Sequence, residues 1–157
     1  MITEEQKKVL KEVTTEILEK LNIEGNIFIV TDAMPDNDES VCVQIQSKDS
    51  GFLIGKAGNN LFALQHLIRI LVSKRLEERI NFIVDVNSYV ENQREDIIEK
   101  AANAISEVKS TGKEIELSPM NSYERRLVHI KVSQKDFVES ESVGEGLERR
   151  VLIKPTN

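Results

Sequence analysis

Gly55 and Gly58 enclose Lys56 and Ala57 within GFLIGKAGNN, directly ahead of a run with helical hydrophobic spacing. This feature constrains the chain more than any other. Glycine admits positive φ and lets another backbone approach closely, so the segment reads as a tight turn that opens a helix. The free N–H groups at such a helix start favour an anion, and Lys56 adds a positive charge beside them. The pattern is not that of a nucleotide-binding P-loop, which requires four residues between its glycines and then Lys followed by Ser or Thr. Here three residues separate Gly51 from Gly55, and Ala57 follows Lys56. The spacing and the missing magnesium-binding hydroxyl both exclude an NTPase reading.

Around the turn, the pattern predicts an ordered series of elements. Thr3 and Gln6 form a capping-box pair, after which Leu10, Val13, Ile17 and Leu21 recur at helical spacing until Gly25. Residues 27–31 form a strand candidate, 32–39 a polar, turn-rich and acidic loop, and Val41, Val43 and Ile45 alternate as in a half-buried strand that pairs with the first. After the turn, Leu61, Leu64, Ile68 and Leu71 mark a buried helical face, and Ile80, Phe82, Val84 and Val86 alternate as a third strand. A second unit then begins. Ser88 and Glu91 read as a capping box for a helix carrying Ile97, Ala101, Ile105 and Val108 as far as Gly112. GKEIELSP supplies a short strand, Asn121 caps a helix with Tyr123, Leu127 and Ile130 on one face, and FVESESV and LERRVLIKP flank a turn at 144–146. The fold class expected is α+β, with two units, 1–86 and 87–157, and no flexible linker between them.

In NSYERRLVHIKV, Arg125 and His129 stand one helical turn apart on the same face, opposite Leu127 and Ile130, where they can jointly hold a phosphate or a base. Arg126 points elsewhere and can pair with Glu124 or Glu116, while Arg149 and Arg150 project to opposite faces of a strand. His66, amid apolar residues, is read as structural.

The Gly55-Lys56-Ala57-Gly58 turn resembles the Gly-x-x-Gly loop of a KH domain, which grips about four nucleotides of single-stranded nucleic acid. The element order over 1–86 resembles the prokaryotic, type II form of that domain. The string at 116–129, with Arg125-x-x-x-His129, and the ending GEGLERRVLIKP together resemble the Arg-x-x-x-His (R-three-H) domain of the Jag family, whose members join a KH domain to that domain in this order. The resemblance implies a single-stranded RNA-binding protein of low sequence specificity, acting in bacterial post-transcriptional regulation linked to cell elongation, division or sporulation. It implies nucleic-acid contacts from Ile54, Gly55, Lys56, Ala57, Gly58 and Asn59 in the loop and from Arg125, Arg126 and His129 in the second unit. Ile54 would pack beneath bases, Lys56 would meet phosphate, Ala57 keeps the loop small, and Asn59 with Asn60 begins the next helix. The family also suggests pairing with a smaller single-KH protein. Two departures stand out. Many members carry an additional N-terminal domain and basic linker, so contacts made there are not carried over. Members also tend to be more basic after the KH unit, whereas here Glu95 and Asp96 follow Arg94.

Composition sets the competing reading. The 157-residue chain carries a net charge of −6, with 10 basic against 14 acidic residues in 1–86 and 11 against 13 in 87–157. Backbone binding depends on Lys and Arg, so a local basic face, Lys56, Arg69, Lys74, Arg75 and Arg79, must carry it on an acidic body. The alternative is a protein-interaction adaptor with weakened nucleic-acid binding. Single-stranded DNA remains a candidate ligand, because a backbone grip separates RNA only through the 2′-hydroxyl. Cys42, His66 and His129 are too few and too dispersed for a zinc site. With no nucleophile beside a base, the chain is read as a non-enzyme without a cofactor. No apolar run reaches membrane-spanning length and the N-terminus lacks a signal-peptide core, so cytoplasmic residence without membrane insertion is expected.

Overall fold

The computed structural model describes residues 2–31 and 41–156; the loop expected at 32–39 lies outside them. The architecture is α+β. The elements run α1 (Glu4–Lys20), β1 (Asn26–Thr31), β2 (Val41–Gln46), α2 (Ser50–Ile54), α3 (Asn59–Leu76), β3 (Ile83–Val86), α4 (Tyr89–Thr111), β4 (Ile115–Glu116), α5 (Ser122–Ser133), β5 (Val138–Val143) and β6 (Arg150–Pro155). Two compact units divide after Val90, within the first turn of α4.

In the first unit, the expected capping box starts α1. The Gln6 amide donates to the Thr3 hydroxyl at 3.2 Å and the Thr3 amide to the Gln6 side chain at 2.8 Å. Leu10, Val13 and Ile17 are buried together with Thr14 and Leu18. Leu21, expected in that stripe, is the C-cap residue and is largely exposed; Leu18 takes the inward position one turn earlier. β1 pairs antiparallel with β2, with Ile27 opposite Ile45 and Ile29 opposite Val43. β3 runs parallel to β2 on its other side, with Val43 opposite Val84 and Ile45 opposite Val86. As the central strand, β2 buries Cys42 as well as Val41, Val43 and Ile45, while Gln44 and Gln46 are more open, so the alternation expected there holds except at Cys42. The third strand begins at Ile83, the partner of Cys42, and not at Ile80, because ladder bonding starts only where β2 lies alongside.

α3 buries Leu61, Leu64, Ile68 and Val72, whereas Leu71 is exposed. At 3.6 residues per turn, Val72 lies about 20° around the axis from Leu61 and Leu71 about 80° away. α1 and α3 lie side by side, joined at the surface by Arg75, whose guanidinium donates to both Glu16 carboxylate oxygens at 3.1 and 3.0 Å. At the start of α4, Ser88 has φ 60°, outside the extended conformation of an N-cap residue. The Val90 amide donates at 2.9 Å to the buried carboxylate of Asp85, so the anion at this helix start comes from β3 and not from the expected Ser88 box.

In the second unit, β6 is the central strand between β4 and β5. Ile97, Ala101, Ala104, Ile105 and Val108 of α4 pack with Val138, Val151 and Ile153 of the sheet. α5 opens with the expected Asn121 cap, completed by Glu124 as a capping box. It buries Leu127, Val128 and Val132, while Ile130 stays half-exposed, so the inward stripe is turned from the one expected. The short strand expected from GKEIELSP is confined to two residues, Ile115 and Glu116, which pair with Ile153 and Leu152.

Candidate nucleic-acid interface

The glycine turn joins α2 to α3, and its conformation explains both glycines. Gly55 has φ 69° and ψ −175°, a region open essentially to glycine alone. A Cβ there would lie 2.5 Å from Cγ of Asn60. Asn60 cannot readily move aside, because its side-chain amide donates at 2.8 Å to the Phe52 carbonyl in α2. Gly58 has φ 78° and is buried, and a Cβ would stand 3.2 Å from the Tyr89 ring and 3.3 Å from the Phe62 ring. Ala57 between them is held at φ 52°, where a non-glycine residue is strained. The outcome is one tight turn whose outer edge is Lys56 and Ala57, both exposed, with Asn59 exposed beyond and Ile54 half-buried beneath.

Gly58 occupies the N-cap position of α3 and has no side chain to accept from the first-turn amides, and that turn contains no acidic residue. No described residue pairs with Lys56. An ammonium and an uncapped helix N-terminus therefore sit together, an arrangement suited to a phosphate.

In the second unit, Arg125 and His129 are brought together as expected, but both are engaged. Arg125 Nη1 donates to the Met120 carbonyl at 2.8 Å, fixing the guanidinium beside the start of α5. His129 Nδ1 lies 2.8 Å from the Ser140 hydroxyl and Nε2 lies 2.9 Å from the Ser142 hydroxyl. Ser140 and Ser142 share one face of β5, opposite Ile153 and Val151 respectively. Glu139 and Glu141 on the other face pair with Lys154. Burial, with the Arg125 charge as the smaller cause, holds the His129 imidazole below the usual histidine value. A neutral ring that donates from one nitrogen and accepts at the other satisfies both hydroxyls. The two serines belong to no motif that the sequence displays, although ESES in a strand places them on one face.

The other basic residues sort themselves. Arg126 is exposed on α5, and Glu116 lies 3.6 Å from Arg150. Arg149 precedes β6 and is not a strand residue. His66, read as structural, is exposed on α3.

Residues 95–155 match the R-three-H domain family. The chain is similar to RNA-binding protein KhpB of Clostridium symbiosum, 30% identical over 154 residues that cover 98% of this chain and 69% of that protein. The same is true of RNA-binding protein KhpB of Lactiplantibacillus plantarum, 33% identical over 66% of this chain and 32% of that protein. With RNA-binding protein KhpB of Bacillus subtilis the identity is 29% over 75% of this chain and 58% of that protein. The matches thus span about two thirds of the Clostridium relative and smaller shares of the other two.

Proposed function

The chain belongs to the KhpB, or Jag, family of RNA-binding proteins, and from that membership we propose that it grips single-stranded RNA through the Gly55–Gly58 turn and the Arg125 face of α5. The observation that carries this is the turn itself. Gly55, in a conformation open essentially to glycine, and Gly58, left-handed and closely covered by Tyr89 and Phe62, place Lys56 at an uncapped helix start with no competing acid among the described residues. The loop contacts are Gly55, Lys56, Ala57, Gly58 and Asn59, with Ile54 supporting them from beneath.

In the second unit the roles divide. Arg125 supplies positive charge, whereas His129, with both nitrogens turned to serines, holds α5 against β5 and offers only its ring. Arg126, exposed on the neighbouring flank, adds a further cation. Few aromatics are available for stacking, since the chain has two tyrosines, five phenylalanines and no tryptophan. Backbone contacts therefore dominate and sequence discrimination is low. The chain acts as a binder and not as an enzyme, in bacterial post-transcriptional regulation linked to elongation, division or sporulation, and in the cytoplasm. No helix of the described residues is long and apolar enough to cross a membrane.

The test is a titration of labelled single-stranded RNA of about 15 nucleotides, enough to span more than one module, against wild type, Lys56→Asp with Ala57→Asp, and Arg125→Ala with His129→Ala. Both variants are expected to bind more weakly while keeping their circular dichroism. Wild type that fails to bind at low salt would overturn the proposal and turn the search toward a protein partner.

A further inference from the structure

The cations that follow the glycine turn do not form one face. Arg75 is committed to α1, with Glu16 at 3.0 Å and Glu12 at 3.9 Å. Arg69 donates at 2.7 Å to the Phe82 carbonyl and lies 5.5 Å from the centre of the Phe82 ring. Lys74 and Arg79 have no ion-pair partner among the described residues, and with His66 they line a cleft of about 550 Å³ between the second half of α3 and the segment leading into β3. Its walls also include Ile70, Ile80 and Asn81, and among the described residues no acidic side chain lines it. In a chain of net charge −6, a concavity with Lys74 and Arg79 on its wall and no described carboxylate favours an anion. Ile70, half-exposed within that cationic rim, supplies an apolar surface of the kind on which a base can rest. The volume falls within the range of about 300–1,000 Å³ usual for small-ligand sites.

We infer that this cleft binds a nucleoside phosphate, with Lys74 and Arg79 on the phosphate, Ile70 and Ile80 against the base and Asn81 at its polar edge. It is separate from the glycine turn, since the helical rise places Lys74 about 24 Å along α3 from Gly58. It does not rest on the grip proposed for that turn. The same chemistry is met by a free nucleotide or by a nucleotide within an RNA strand.

Amide chemical shifts of the full chain distinguish these sources when adenosine monophosphate and a 15-nucleotide RNA are added separately. The proteins are wild type, Lys74→Glu with Arg79→Glu, and Lys56→Asp with Ala57→Asp; Lys74→Ala with Arg79→Ala serves as a milder control. The mononucleotide is expected to move the amides of Ile70, Ser73 and Asn81 in wild type and in the loop variant, but not in either cleft variant. If the strand also occupies the cleft, neutralising both cations lowers the slope of log affinity against log salt by about 1.4, at about 0.7 per phosphate contact. Shifts with the mononucleotide alone identify a free nucleotide, and shifts with RNA alone identify a strand. If neither ligand moves the cleft while RNA still moves the turn, this inference is overturned and the proposed function stands. If the mononucleotide moves the cleft while RNA leaves the turn unmoved, the cleft stands and the grip at the turn falls.

Discussion

At Gly55 a single hydrogen decides whether the turn can form. Alanine there would have to share space with Asn60, which is itself bonded to Phe52, at a backbone conformation foreign to L residues. Gly55→Ala is expected to cost about 1–3 kcal/mol in urea unfolding. Gly51→Ala, in α2 with open space around its Cβ, should be neutral or stabilise by up to about 1 kcal/mol. Equal effects at the two positions would refute the assignment of strain to the turn. His129 makes a second residue-scale prediction. Its folded pKa is depressed, so in the window below about 6.5, the ordinary histidine value, the unfolded chain binds more protons than the folded one. The stability contribution is full above that value and is lost as pH falls from it toward the folded pKa. The wild type should therefore lose stability more steeply than His129→Ala between pH 7 and that lower limit, as read by denaturant midpoints at each pH.

At the scale of elements, helical phase separates buried from exposed apolar residues. Ile68 of α3 is fully buried and Leu71 is not. Ile68→Ala should cost about 2–5 kcal/mol, whereas Leu71→Ala, on the surface, should stay within about 0.5 kcal/mol. Comparable losses would mean that the α3 face is set differently. The start of α4 gives another test. Asp85 reaches from β3 to the Val90 amide, so Asp85→Ala removes a cap and should destabilise by about 0.5–2 kcal/mol, with faster hydrogen exchange in the first turn of α4. Ser88→Ala should leave that turn protected if Asp85 is the group that holds it.

For the molecule as a whole, charge governs how nucleic acid can be held. A body of net charge −6 repels phosphates over a range set by ionic strength, about 10 Å at 0.1 M salt and about 30 Å at 0.01 M. Lys56, Arg125 and Arg126 would give a salt slope of about −2.1 for single-stranded RNA, and Lys74 and Arg79 would raise it to about −3.5. Affinity measured from 50 to 200 mM salt should fall within these slopes and flatten near 10 mM, where the acidic body repels from farther away. A slope much steeper than about −3.5 would require a larger basic surface than these five cations supply.

Much of this could be read from residues near one another in sequence. The capping boxes at Thr3 and Asn121, the glycine turn, and the shared face of Arg125 and His129 depend on spacings of three or four residues. Local backbone geometry converts such spacings into contacts where the chain enters the helix extended, as at Thr3 and Asn121 but not at Ser88. The exposure of Leu21, Leu71 and His66, the late start of β3, the Asp85 cap and the serines that occupy His129 depend on which element arrives alongside. That is decided by packing, because a side chain's partner across a sheet or beneath a helix is distant in sequence. The order of residues was enough to set the succession of elements, the turn that glycine alone can make and the acidic balance of the whole. Which cations are spent on ion pairs and which remain facing a cleft was settled by folding, because a charge is neutralised by its neighbours in space.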